Sequence, residues 1–259
     1  MGAGNVLVLK ETLKSFSKIC DEVIYGDLLV WEEDREILKS YQEEFNIKIV
    51  SFPFNYIFKH GFSSILNALA SHATNNFVMY MNTSEVIDED YGIVETINDN
   101  PDCNAFYFTH RREGHRWFRT YNRHELKWSG RIHEQLAGDY KPYHKPIFMM
   151  KDLEKDMGNP YKAKIFNLIK EYVYFEQYVQ IVDHPEFLGE TDPGWINFAK
   201  GDYGSFKERM EKRPGIYNSF KIGNPYLFWH YLTNDPEFKS EQFKSSNLIA
   251  FQGDKIHLL

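Results

Sequence analysis

Short apolar runs alternate with helical periods from residue 1 to about residue 135, and this alternation restricts the fold of the 259-residue chain more than any other feature. Leu9, Leu13 and Phe16 recur at spacings of four and three, as on one face of a helix. DEVIYGD (21–27) reads as a short buried strand ending at Asp27. A charged helix (31–45), a second strand (46–54) and a helix with small residues on one side (61–73) follow. NFVMYMN (76–82) is apolar almost throughout, which predicts a central strand covered on both faces. Residues 104–112 and 115–123 read as two further strands, paired as a hairpin around Glu113 and Gly114. Alternation of this kind predicts an α/β fold with a mostly parallel sheet flanked by helices. Ligands in such folds bind beyond the carboxyl ends of the strands.

From about residue 150 the pattern becomes helical. Ile165, Leu168, Ile169, Tyr172 and Val173 share one helical face. Segments 196–213 and 224–234 predict further helices, separated by Pro and Gly. The expected organisation is a core over 1–149 and a helical extension packed on it over 150–259, without a flexible linker.

The formal net charge of −7 argues against generic nucleic-acid binding along a basic surface. Two cysteines, Cys20 and Cys103, exclude a disulfide scaffold and a Cys-rich zinc site, and they fit a reducing compartment. No apolar run approaches a membrane span and no secretory signal opens the chain, so a soluble cytoplasmic protein is expected. Peripheral membrane contact through C-terminal aromatics stays open.

Segment 116–136 concentrates chemistry. It holds Arg116, Arg119, Arg123 and Arg131, Trp117 and Trp128, and the run from Gly130 to Glu134. Guanidinium groups match phosphate oxygens, flat aromatics match sugar faces, and an adjacent His-Glu pair suits metal binding or proton transfer. A buried strand with a solvated arginine edge is the plainer alternative.

The order of these features resembles family-2-type glycosyltransferases with a GT-A fold. The match covers roughly residues 5–136 in four stretches. DEVIYGD is similar to the strand whose last Asp contacts the nucleotide of a sugar donor. Residues 60–82 are similar to the Gly-Phe helix and the strand that leads to the metal motif. NTSEVID takes the place of the DxD-type motif, and the segment ending in Gly130–Glu134 resembles the acceptor side. The resemblance implies donor contacts at Asp27, Asn67, Asn82, Ser84, Arg116 and Arg119. It implies acceptor contacts at Trp128 and Gly130, and catalysis by Glu134 as base with His133. Asp34 is a further acidic candidate.

The departures are specific. Asn82, Thr83, Ser84 and Glu85 stand where the family carries paired carboxylates, and a neutral Asn or Ser binds a divalent cation weakly. A Mn or Mg ion, if used, would fall to Glu85 and His133. Leu28, Leu29 and Val30 replace the usual glycine-serine turn. The first strand of the fold is expected either as a short strand at Asn5–Leu9 or not in this chain.

Bland readings stand beside each residue. Asp27 and Glu85 are also helix-cap candidates, and Glu134 a carboxylate at a helix start. Asn67 reads equally as a core-facing amide bonded to a nearby loop, and Trp128 as core. The expected activity is transfer of a sugar from a nucleotide-diphosphate sugar to an acceptor glycan or other hydroxyl, with inversion implied by the resemblance alone. The alternative is a non-catalytic relative that binds a nucleotide sugar, a glycan or a partner protein. A nucleotidyltransferase is disfavoured because no Gly-rich phosphate loop with a Lys follows the first strand.

Overall fold

The computed structural model describes residues 2–3, 6–53, 56–111, 116–130, 135–153, 207–208, 210–222, 224–236, 248–249 and 257–258. Within them the chain is α/β, as the alternation predicts. The strands are β1 (Gly2–Ala3), β2 (Val23–Trp31), β3 (Ile47–Ser51), β4 (Phe77–Met79), β5 (Glu85–Asp90) and β6 (Ala105–His110). They continue as β7 (Arg116–Asn122), β8 (Lys127–Ser129), β9 (Gln135–Ala137), β10 (Phe148–Asp152), β11 (Leu248–Ile249) and β12 (His257–Leu258). The helices are α1 (Val6–Phe16), α2 (Glu32–Phe45), α3 (Tyr56–Ser71) and α4 (Ile93–Asp99), then α5 (Pro214–Lys221) and α6 (Pro225–Asn234).

The sheets are mixed rather than mostly parallel. One runs β1-β2-β3-β12 with β11 also on β2, and its β1-β2-β3 part is parallel. The other runs β4-β7-β6-β10-β5 and is antiparallel except between β6 and β10. A third, two-stranded sheet joins β8 to β9. The reason is connection length. Helices α1 and α2 allow the parallel returns of β2 and β3, whereas β6 and β7 are joined by a short hairpin and must run antiparallel.

Leu9, Leu13 and Phe16 are buried as their spacing predicts. Leu9 and Leu13 close a cluster with Tyr25, Leu38, Tyr41, Ile47 and Ile49 that joins α1 and α2 to β2 and β3. Residues Val6–Leu9 belong to α1, so the short strand expected at Asn5–Leu9 is not formed there. The two-residue β1 instead pairs with β2 at Asp27 and Leu29. Strand β2 runs to Trp31, so Asp27 lies inside it rather than at its end. The apolar run 76–82 was expected to be central. It forms β4, only half-buried and at the edge of its sheet. The hairpin of β6 and β7 is present, while its tip at Glu113 and Gly114 lies outside the described residues.

In the C-terminal part, α6 matches the helix expected at 224–234. Its N-terminus is capped by Asn224, whose Oδ1 accepts from the Leu227 N–H at 3.0 Å. Helix α5 was not anticipated, and it packs against α6 closely enough that a Cβ on Gly215 would meet the Tyr231 ring at 2.5 Å. The helix expected around Ile165–Val173 lies outside the described residues, as do 196–206 and 209 of the next one, whose Lys207, Glu208, Met210, Glu211 and Lys212 are helical as expected. Among the described residues no helix is long and apolar enough to cross a membrane.

Glu22 ties the start of β2 to the loop after α3. It accepts from Lys48 Nζ at 2.8 Å and from the Thr74 N–H and hydroxyl at 2.5 and 2.7 Å. Partial burial pulls its carboxyl upward, but these donors together hold it down at about 2. A depressed carboxylate stabilises the fold above its unfolded value near 4.5, and that contribution is lost as pH falls toward 2. Glu22→Gln is therefore expected to lower stability at pH 7 by about 1–2 kcal/mol, with the difference from wild type vanishing in that acid window. Urea melts of both proteins between pH 7 and 2 measure this.

Candidate functional site

The turn after β4 is ordered by a buried carboxylate. Glu85, 4% exposed, is the first residue of β5 rather than a helix cap. Its Oε2 accepts from the Asn82 N–H at 2.7 Å, and its Oε1 from the Asn82 amide at 2.8 Å. Arg119 Nη1 donates to the same Oε2 as an ion pair. The Asn82 Oδ1 accepts from the Tyr80 hydroxyl at 2.7 Å. The Arg119 guanidinium also lies 5.0 Å from the ring centroids of both Tyr80 and Phe108. The turn is fastened from outside as well. Thr12 Oγ1 donates to the Thr83 carbonyl at 2.8 Å, and the Leu153 N–H to the Ser84 carbonyl at 2.7 Å.

This arrangement decides what the turn can bind. Both Glu85 oxygens receive hydrogen bonds and a fixed cation already neutralises its charge. The described donor set, a paired carboxylate with a neutral Asn and Ser, does not fit a divalent cation, which needs free anionic oxygens. Arg119 is likewise committed to Glu85, so it acts on the turn by holding it. Arg116 begins β7.

Helix α3 and the segment ahead of residues 131–134 are joined by side-chain bonds to main chain. Asn67 Nδ2 donates to the Trp128 carbonyl at 2.7 Å, and the Trp128 N–H donates to Asn67 Oδ1 at 2.9 Å. One amide side chain thus imitates a strand neighbour for β8. Ser63 Oγ donates to the Gly130 carbonyl. Gly130 has φ 85°, a left-handed conformation that favours glycine. Gly61 within α3 also has positive φ, at 74°, where the helix kinks ahead of buried Phe62.

Trp128 is core. It is 8% exposed, its ring meets Tyr80 and Tyr121 edge-on, and its Nε1 donates to the Tyr121 hydroxyl at 3.1 Å. Burial pushes that hydroxyl up to about 12, so it stays neutral. An acceptor sugar would not find this ring open to solvent.

Asp27 is 2% exposed, paired across β2 to Ser51 and Gly2. Asp34 lies on α2. His133 and Glu134 lie outside the described residues, and Gln135–Ala137 directly after them form β9 rather than a helix. Other arginines are also engaged: Arg111 pairs with Asp88 at 2.5 Å, and Arg123 Nε donates to the Asn75 carbonyl at 2.7 Å. Lys151 and Arg111 together hold the Asp88 carboxyl below the ordinary carboxylate range.

Two structural residues escaped the sequence reading. Asn104 accepts from the Lys141 N–H at 2.8 Å and donates to Glu125 and the Asp139 carbonyl at 2.9 and 2.7 Å. His110, 5% exposed, sits 3.5 Å from Asp152, whose backbone pairs with Glu85. No local pattern marks either residue. Each partner lies on a strand or loop distant in sequence.

Removing one member of the Glu85–Arg119 pair leaves a buried charge. Arg119→Met is expected to lower stability by about 3 kcal/mol, and Arg119→Met with Glu85→Gln to cost less than the single change. Denaturant melts of the two variants measure the coupling.

Comparison with known protein families, with characterised proteins and with solved structures finds no match, so the functional reading rests on the residues themselves.

Proposed function

We propose that the chain is a glycosyltransferase with a GT-A-like core that moves a sugar from a nucleotide-diphosphate donor to an acceptor hydroxyl with inversion. One observation carries the reading. Asn67 and Ser63 fasten the Gly-Phe helix to Trp128 and Gly130, so two separated stretches of the resemblance meet where residues 131–134 leave the described backbone.

In this reading the resemblance assigns the nucleotide to Asp27, which lies inside β2 and reaches a donor only where that strand opens, and the diphosphate to Asn82 and Ser84. Glu134 takes the proton of the acceptor hydroxyl, whose oxygen attacks the anomeric carbon as the nucleoside diphosphate leaves. A sugar hydroxyl has a high pKa, so a positioned base is required. Arg119 keeps the 82–85 turn in shape through Glu85. The remaining charge on the leaving group falls to arginines of the 111–131 region, and the rate arises from placement and charge stabilisation. His133 contacts the diphosphate.

A second reading has its own observation. Glu85, the first acidic residue at the motif turn, is neutralised by Arg119, as suits a relative that binds a sugar nucleotide or glycan without transferring it.

A thermal-shift screen of nucleoside diphosphates and their sugar conjugates, with and without Mn²⁺, separates the two. A ligand that binds only the native state raises the melting temperature. The expected outcome is a donor that stabilises the protein and whose affinity falls in Asp27→Asn. Glu134→Gln should keep that donor affinity while transfer falls about a hundredfold or more. Donor binding without transfer by the wild type favours the binding module, and unchanged turnover in Glu134→Gln removes it as base.

A further inference from the structure

A second carboxylate stands beside the 82–85 turn. Strands β4, β6 and β10 run in one direction, since β4 and β6 both lie antiparallel to β7 and β10 lies parallel to β6. Their carboxyl ends therefore share one edge of the sheet, the edge at which ligands of α/β folds bind. The 82–85 turn follows β4 at that edge, β6 ends on His110 and β10 on Asp152. Asp152 is the ladder partner of Glu85, so the two side chains leave the same face with Cβ atoms about 5 Å apart. The next residue, Leu153, donates its N–H to the Ser84 carbonyl at 2.7 Å, which pins Asp152 against the turn.

The two carboxylates differ in what they can still accept. Both oxygens of Glu85 are taken by Asn82 and Arg119. The Asp152 side chain is 39% exposed, and its Oδ2 lies 3.5 Å from His110 Nε2. Among the described residues its Oδ1 meets no donor. His110 is 5% exposed, so the carboxylate is held from its buried side by a ring that packing fixes. The adjacent Lys151 is no competitor, because successive strand residues leave opposite faces and Lys151 bonds Asp88 there at 2.5 Å. What remains is one anionic oxygen, positioned from behind and open in front. Such an oxygen accepts an O–H more strongly than a neutral acceptor does.

We propose that Asp152 is a specificity-determining residue that accepts a hydroxyl hydrogen from the sugar ring of the donor, with His110 as its positioning residue. This rests on the donor placement proposed above, with the diphosphate at Asn82 and Ser84. The sugar is bonded directly to that diphosphate, so it lies beside Ser84 and hence beside Asp152. A ring hydroxyl then fills Oδ1. A sugar without that hydroxyl leaves a half-buried carboxylate oxygen unpaired, and this loss is the source of discrimination.

The probe is the nucleotide sugar that raises the melting temperature most in the screen above, measured by calorimetry beside its free nucleoside diphosphate. Asp152→Ala should bind the conjugate at least about tenfold more weakly, a difference of about 1.4 kcal/mol, and the diphosphate as wild type does. Among monodeoxy versions of the conjugate, one should bind wild type and Asp152→Ala alike. His110→Gln should show the same selective loss at smaller size, whereas a matching loss of diphosphate affinity would make His110 structural only. Equal conjugate affinity in Asp152→Ala and wild type overturns the proposal. So does an equal loss for conjugate and diphosphate, which would assign Asp152 to the nucleotide or to the fold alone. A wild type that no nucleotide sugar stabilises overturns the transfer reading itself, and this proposal with it.

Discussion

Two sheets that share no hydrogen-bonded strand pair among the described residues must be held together by helices, and α1 and α3 do this. On one side α1 buries Leu9 and Leu13 against β2 and β3 while Thr12 and Ser15 reach across to the other sheet. Thr12 bonds the Thr83 carbonyl, and Ser15 Oγ accepts from the Ile87 N–H at 2.9 Å. On the other side Leu69 of α3 lies so close to Gly26 that a Cβ there would meet it at 2.8 Å. The same helix grips Trp128 through Asn67. Apolar burial supplies most of the cohesion and is non-directional. The hydroxyl and amide bonds supply position, which is what a site assembled across two sheets requires.

That division of labour explains the character of the 82–85 turn. It lies where β4 gives way to β5, and it is anchored from three sides: by α1, by β7 and by Leu153 directly after β10. The Glu85–Arg119 pair at its centre is mostly removed from water, and such a pair contributes little net stability while punishing loss of either partner. Its value lies in specifying one geometry. Three donor groups and two aromatic rings converge on one carboxylate and its guanidinium. A fixed internal cation thus neutralises the acidic residue of this turn. A transferase built this way depends on pre-set charge rather than on acidic metal ligands, and a binding module built this way simply has an ordered turn.

Much of the local structure is legible in the residues. The spacing of Leu9, Leu13 and Phe16 determined a buried helix face, and the strands on either side of Glu113 and Gly114 determined a hairpin. Asn224 ahead of Pro225 determined a helix start. These features depend on periodicity, turn chemistry and capping within a few residues of one another. The same locality accounts for the failures. An apolar run such as 76–82 suits a strand buried on both sides, yet whether a neighbour lies on each side is fixed by other segments. Here β4 is an edge. Asp27 ends an apolar run, but β2 continues because β1 and β11 pair with its later residues.

Tertiary structure alone decided which polar residues meet. Arg119 finds Glu85 across 34 residues, and Asn67 finds Trp128 across 61. A guanidinium or an amide in the sequence carries no record of its partner, because any of several acceptors satisfies it equally well. The choice falls to the path of the backbone and to the cost of leaving a buried polar group unpaired. By itself, the sequence determined an α/β chain with a cluster of phosphate- and sugar-compatible residues. Only the folded arrangement turned Glu85 from a metal-ligand or cap candidate into half of an ion pair, and decided between the two readings of Trp128, sugar platform and core, in favour of core.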